Sequence, residues 1–161
     1  MRRIIALIAS ILLLAGICSG CASQTWQYEE LSFTLDKDFQ NCSNESYARE
    51  FDFLFDNGTI AIAGIRETRQ ALADFGPLDA AAYTQLVISH NALTCQPMQK
   101  DGLWCFSYEA VSNGTPMTYI CVIHEAEQSI WQVQAYCASA EFAQQSENMW
   151  QLLLSMKTKN S

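Results

Sequence analysis

The sequence predicts an α+β domain, an antiparallel sheet of about six to seven strands covered by two helices. Three observations carry this. Short segments rich in aromatic and β-branched residues alternate apolar and polar positions, the period of a half-buried strand. Asn-Gly stands twice between such segments, at Asn57-Gly58 and Asn113-Gly114, and this dipeptide suits a type I′ hairpin, which needs positive φ at both central residues. Two further segments space their apolar residues three and four apart, as helices do.

In chain order, residues 28–35 set Leu31, Phe33 and Leu35 against Glu30, Ser32 and Thr34, which reads as a half-buried strand. Residues 36–50 are polar and read as a loop. Residues 51–55 and 60–65 form the first hairpin, and centring it on Asn57-Gly58 sets Phe55 opposite Ile60 and Phe53 opposite Ile62. Asp79 is the expected N-cap of a helix over residues 78–90 with Tyr83, Leu86 and Val87 on its apolar side. His90 falls in that helix's last turn, a capping or dipole position. Residues 93–98 are expected to form a strand that turns at Asp101-Gly102.

Residues 104–111 and 116–124 make the second Asn-Gly hairpin, with Tyr108 opposite Tyr119. A strand over residues 130–137 returns across the 125–129 turn, in a register that places Val133 opposite Cys121. Ser139 is the expected N-cap of the second helix, whose apolar face is Phe142, Met149, Trp150 and Leu153 and whose last turn leads to Lys157 and Lys159. This register gathers Phe106, Tyr108, Cys121, Ile123, Trp131 and Val133 on one core face. It leaves Cys105, Ile120, Val122 and His124 on a mixed face, with His124 exposed at a strand end.

The N-terminus reads as an export signal over residues 1–20: Arg2-Arg3, an uncharged apolar run from Ile4 to Ile17, then small residues. That run is too short to span a bilayer. The string Ile17-Cys18-Ser19-Gly20-Cys21 resembles a bacterial lipobox, which implies lipidation at Cys21 as the mature N-terminus. Cys18 stands where that pattern usually has an aliphatic residue. An ordinary signal cleaved near Gly20 or Ala22 is the alternative. Residues 21–27 then read as a short polar tether and residues 28–159 as a single domain.

Loss of residues 1–20 removes Arg2 and Arg3 and no acid, taking the formal charge from -8 to -10. So acidic a chain lacks the electrostatic footprint of a nucleic-acid binder. Anionic headgroups would repel it, so membrane attachment would come through the lipid. Five cysteines follow Cys21, an odd number. Cys95 and Cys105 fall roughly opposite each other if their loop is centred near Lys100, which makes them a candidate disulfide. Cys121 and Cys137 are expected to be small core residues, and Cys42 has no assigned partner.

No catalytic constellation emerges. Cys121-x-x-His124 is the nearest Cys–His spacing, and in a strand that odd spacing sends the two side chains to opposite faces. Glu125 and Glu127 flank a turn and read as solvated. No phosphate-cradling glycine loop and no G-x-S-x-G is present. The expectation is a non-enzymatic protein with no metal and no cofactor.

The element order (strand, long loop, hairpin, helix, meander, and a C-terminal helix ending "MWQLLLSMK") resembles the PsbP/DcrB-type α/β/α sandwich, a pattern covering nearly the whole mature chain. Bacterial envelope lipoproteins of that family share the export signal. With the export signal and the lack of a catalytic constellation, the expectation is a membrane-attached cell-envelope protein, on the periplasmic or extracellular side, with a binding or scaffold role toward an envelope protein partner. A secreted unlipidated binding protein and an envelope enzyme with a site assembled from distant residues are the alternatives.

Overall fold

A computed structural model describes residues 23–45 and 48–159. The export segment, Cys18 and Cys21 lie outside the described residues. Among the described residues, ten strands and two helices follow in order: β1 (Ser23–Tyr28), β2 (Leu31–Asp36), β3 (Gln40–Asn41), β4 (Phe53–Asp56), β5 (Ala61–Thr68), α1 (Ala80–His90), β6 (Met98–Lys100), β7 (Leu103–Ser112), β8 (Thr115–Glu125), β9 (Ser129–Ala138), α2 (Phe142–Ser155) and β10 (Lys157–Thr158). A short 3-10 turn, Ala73–Phe75, precedes α1. The strands form a seven-stranded antiparallel sheet, β3-β4-β5-β9-β8-β7-β6, and a three-stranded sheet, β1-β2-β10.

Helix α1 covers one face of the large sheet, packing Tyr83, Val87 and Ile88 on Phe106, Cys121 and Ile123. The other face carries the main core. There Phe53, Ile62, Val122, Trp131 and Val133 meet Leu31, Phe33 and Leu35 from the small sheet and Met149 and Leu153 from α2. The expected two-helix sandwich is therefore present, with the small sheet sharing one outer layer with α2.

Local chemistry explains most of the elements. Asp79 caps α1 by accepting the Ala82 N–H at 2.8 Å. Asn113 and Gly114 both take positive φ, the type I′ requirement, and Tyr108 opposes Tyr119 as the turn dictates. Asp101 and Gly102 likewise take positive φ and turn β6 into β7.

Five local expectations change. The supposed tether is strand β1, fully registered on β2 with Trp26 opposite Phe33. Only Trp26 and Tyr28 are apolar and half-buried among its six residues, an alternation too short to mark a strand. The first hairpin turns through residues 57–60, closed by the Asn57 N–H on the Ile60 carbonyl at 3.2 Å. Asn57 itself is not at positive φ, and its side-chain oxygen accepts from the Thr59 and Ile60 N–H groups. Phe55 therefore opposes Ile62 and Phe53 opposes Gly64, a shift that leaves the faces unchanged.

The β8–β9 register differs by one residue, placing Gln134 opposite Cys121 and Val133 opposite Val122. Ala126 and Ser129 close that turn by a backbone bond of 2.9 Å. Trp131, Val133, Ala135 and Cys137 consequently join Cys105, Ile120 and Val122 on the main-core face. His124, expected to be exposed, is buried there. Finally, α2 starts at Phe142, Ser139 bonds Thr118 instead of capping it, and Lys157 lies in β10 beside Ser32.

Candidate functional site

The concave site is a groove on the α1 side of the large sheet, with a volume of about 360 Å³. Its floor comes from strands. Alternation along β5 turns Ile65 and Glu67 to this face, and β9 adds Gln132. Its wall is one stripe of α1, where Tyr83, Leu86, Val87 and His90 follow helical spacing. Leu72 closes one end, and Phe75, 60% exposed, stands on the rim.

The rim is held firmly. Arg69 donates to the Leu78 carbonyl and, at 2.5 Å, to the Glu125 carboxylate. The other oxygen of Glu125 accepts the Ala80 N–H at the start of α1. Glu125, read from the sequence as solvated, is thus the ion-pair partner that fastens the 69–79 loop to β8 and α1. The loop encloses a second depression of about 410 Å³, but its one polar lining side chain is Arg69, already committed.

Tyr83 is 2% exposed, with its phenol beside Glu67. Burial first, then the neighbouring Glu67 carboxylate, raise the phenol's pKa far above the ordinary tyrosine value. The hydroxyl therefore stays protonated at neutral pH. No lysine or arginine lines the groove.

The residues singled out by sequence lie elsewhere. Cys121 faces α1, whereas His124 faces α2, so the expected separation holds. No group of His, Cys, Asp or Glu among the described residues is arranged to hold a metal ion. No helix among them is long and apolar enough to cross a membrane.

The Cys95–Cys105 pairing does not form. The Asp101-Gly102 turn sets Met98 opposite Cys105, and Cys105 joins the main core while Cys95 packs with the α1 cluster on the opposite face. Cys42, Cys95, Cys105, Cys121 and Cys137 are all free thiols. Burial raises the pKa of the Cys95 thiol and of three others, Cys105, Cys121 and Cys137, which are also closed to solvent. In native protein at neutral pH, maleimide is expected to label Cys42 and Cys95 and to spare these three until denaturant is added. Peptide mapping checks this, and labelling of Cys95 and Cys105 only after reduction would contradict the free-thiol assignment.

From the sequence, Tyr83 is named only as part of the apolar side of α1, and Glu67 is not named. An acid on the face of β5 that also carries Ala61 and Ala63 was the available signal. It was hidden because the strand was expected to end at Ile65, three residues before its observed end at Thr68.

No protein-family model matches the chain, and no curated protein matches it by sequence. Solved structures do share its fold. Cyanobacterial PsbP (CyanoP) from Synechocystis sp. PCC 6803 is similar with a TM-score of 0.55 at 9% identity, over 89% of this chain and 96% of that one. The Ran-binding protein Mog1p of Saccharomyces cerevisiae gives 0.55 at 8%, over 87% and 97%. A protein of Bacteroides thetaiotaomicron VPI-5482 gives 0.53 at 12%, over 80% of this chain and 44% of that one. The expected PsbP-type fold is therefore the observed one.

Proposed function

We propose that this chain is an exported, lipid-anchored protein of the cell envelope, on the periplasmic or extracellular side, whose PsbP-type domain binds a partner without catalysis. The groove is the observation that carries the binding reading. It offers apolar walls, one carboxylate and a phenol locked in its protonated form, but no cysteine or serine nucleophile. Buried His124 and the buried thiols lie away from it. The same fold serves protein binding in the Ran-binding Mog1p, which supports a partner-binding role and does not extend Ran to this chain.

The anchor reading follows from the export segment and Cys21, and the position of β1 gives it a geometric consequence. Only Ala22 separates Cys21 from the first residue of β1. Two residues of chain span about 7 Å at most. An acyl group on Cys21 would therefore hold the Ser23–Asp36 end of the domain against the bilayer. Asp36, Phe39 and Asn57 share that end. Glu67 lies six residues along β5 from Ala61, about 20 Å farther out. The groove would thus face away from the membrane.

Mass spectrometry of the intact protein extracted from membranes tests the anchor. The expected species begins at Cys21 and carries the added mass of acyl chains. A water-soluble protein beginning at Ala22 or earlier would refute it.

A further inference from the structure

We infer that the groove between α1 and the β5–β9 floor is a docking site for a lysine or arginine side chain of a partner polypeptide. The inference rests on reading the domain as a binding module and is independent of acylation at Cys21.

Charge is the first argument. Among the described residues lining the groove, Glu67 is the only Asp, Glu, Lys or Arg. The two nearest arginines in sequence do not serve it. Arg66 points to the opposite face of β5, and Arg69 is bound to Leu78 and Glu125. A carboxylate has about four lone-pair sites, so the Tyr83 hydroxyl leaves acceptor capacity for an incoming N–H donor. The acidic chain as a whole, at -8, also favours encounter with a basic partner.

Shape is the second argument. Ile65, Leu72, Leu86 and Val87 line the path to Glu67 and match the aliphatic stem of a long basic side chain. Phe75, exposed among the groove's lining residues, adds aromatic surface that a stem and its cation can use. At about 360 Å³ the space lies at the small end of ligand sites, suited to one side chain and too small for a large cofactor. The polypeptide origin follows from this match of stem and charge, because a short headgroup amine would reach Glu67 without filling the apolar walls.

The test is an NMR titration of the amides of the full chain in neutral-detergent micelles, with N-acetyl-lysine methylamide as probe. Shifts are expected at Glu67, Tyr83, Leu86 and His90, with a dissociation constant on the order of 1–10 mM for so small a fragment. Glu67→Gln should weaken binding about tenfold or more. Phe75→Ser, at an exposed position that the fold does not need, should weaken it several-fold. The norleucine analogue should bind about tenfold more weakly than the lysine probe. Equal binding of norleucine would overturn the charge argument and leave the groove as a binding site. Equal binding of ethanolamine would overturn the side-chain assignment in favour of a headgroup amine. No shift in the groove with any probe would overturn both this inference and the binding role of the groove.

Discussion

Gly64→Ala is expected to destabilise the domain by about 3 kcal/mol or more, although Gly64 has no unusual backbone conformation. The cost is one of space. Gly64 lies directly opposite Phe53, and a Cβ at this position would stand 2.2 Å from Phe53 Cε1 and 2.3 Å from Cζ. The Phe53 ring is fully buried and is enclosed by Phe33 at 4.9 Å, Tyr28 at 5.0 Å and Trp131 at 5.9 Å between centroids. No direction is open to it, so relief would require moving the small sheet away from the large one. Urea denaturation at neutral pH checks the value. The double variant Gly64→Ala/Phe53→Leu should recover part of the loss, because it removes the atoms that clash. A Gly64→Ala protein within about 0.5 kcal/mol of wild type would show that the ring is not confined as described.

The same residues show what the sequence could disclose and where it stopped. Leu31, Phe33 and Leu35 announce their strand because one face of β2 is buried and the other is not. The Asn113-Gly114 turn sets its own register through backbone conformation, so the Tyr108–Tyr119 pairing could be read from two residues. The turn between β8 and β9 has Glu127 and Gln128 at its centre, with no glycine or asparagine to mark it. Centring it half a residue early slipped β9 by one position, and a one-residue slip reverses every side chain of a strand. That single slip moved Trp131, Val133, Ala135 and Cys137 to the wrong face. It also made the true core face look half polar, while the strand-end position of His124 suggested exposure that α2 removes.

The groove was less legible than the fold for a different reason. Its chemistry depends on Glu67 and Tyr83, which come from separate elements and meet only when α1 lies across the sheet. Nothing local in either segment records that approach. The loop carrying Phe75 is fixed by Arg69 reaching Glu125, 56 positions away. Spacing rules operate within an element and at its turns, so a site assembled between layers escapes them.

Acidification from pH 6.5 toward pH 4.5 is expected to cost the domain about 2 kcal/mol, with His124 as the cause. His124 is 3% exposed, and its Nε2 lies 3.1 Å from the Leu153 carbonyl oxygen. A carbonyl only accepts, so Nε2 carries a proton, and the low pKa keeps the imidazole neutral at pH 7. Leu153 is in the last turn of α2, where carbonyls lack helical partners, so His124 satisfies one of them from the sheet. A helix C-terminus favours a cation, yet burial dominates here and lowers the pKa from 6.5 to about 4. The sign follows directly. Between those values the unfolded chain takes up a proton that the folded one refuses, so stability falls as pH falls. The loss begins near pH 6.5 and is nearly complete by pH 4. Glu30 acts separately: the Ser129 hydroxyl, bound at 2.6 Å, holds its carboxyl below 4.5. Its contribution is therefore lost only at pH values below that. Urea denaturation at pH 7, 5.5 and 4.5 isolates the histidine, and His124→Gln supplies the control because an amide N–H can still reach Leu153. The variant should lose most of the wild-type pH dependence in this window. Equal slopes for the two proteins would mean that another group carries the acid sensitivity and that the buried imidazole does not resist its proton.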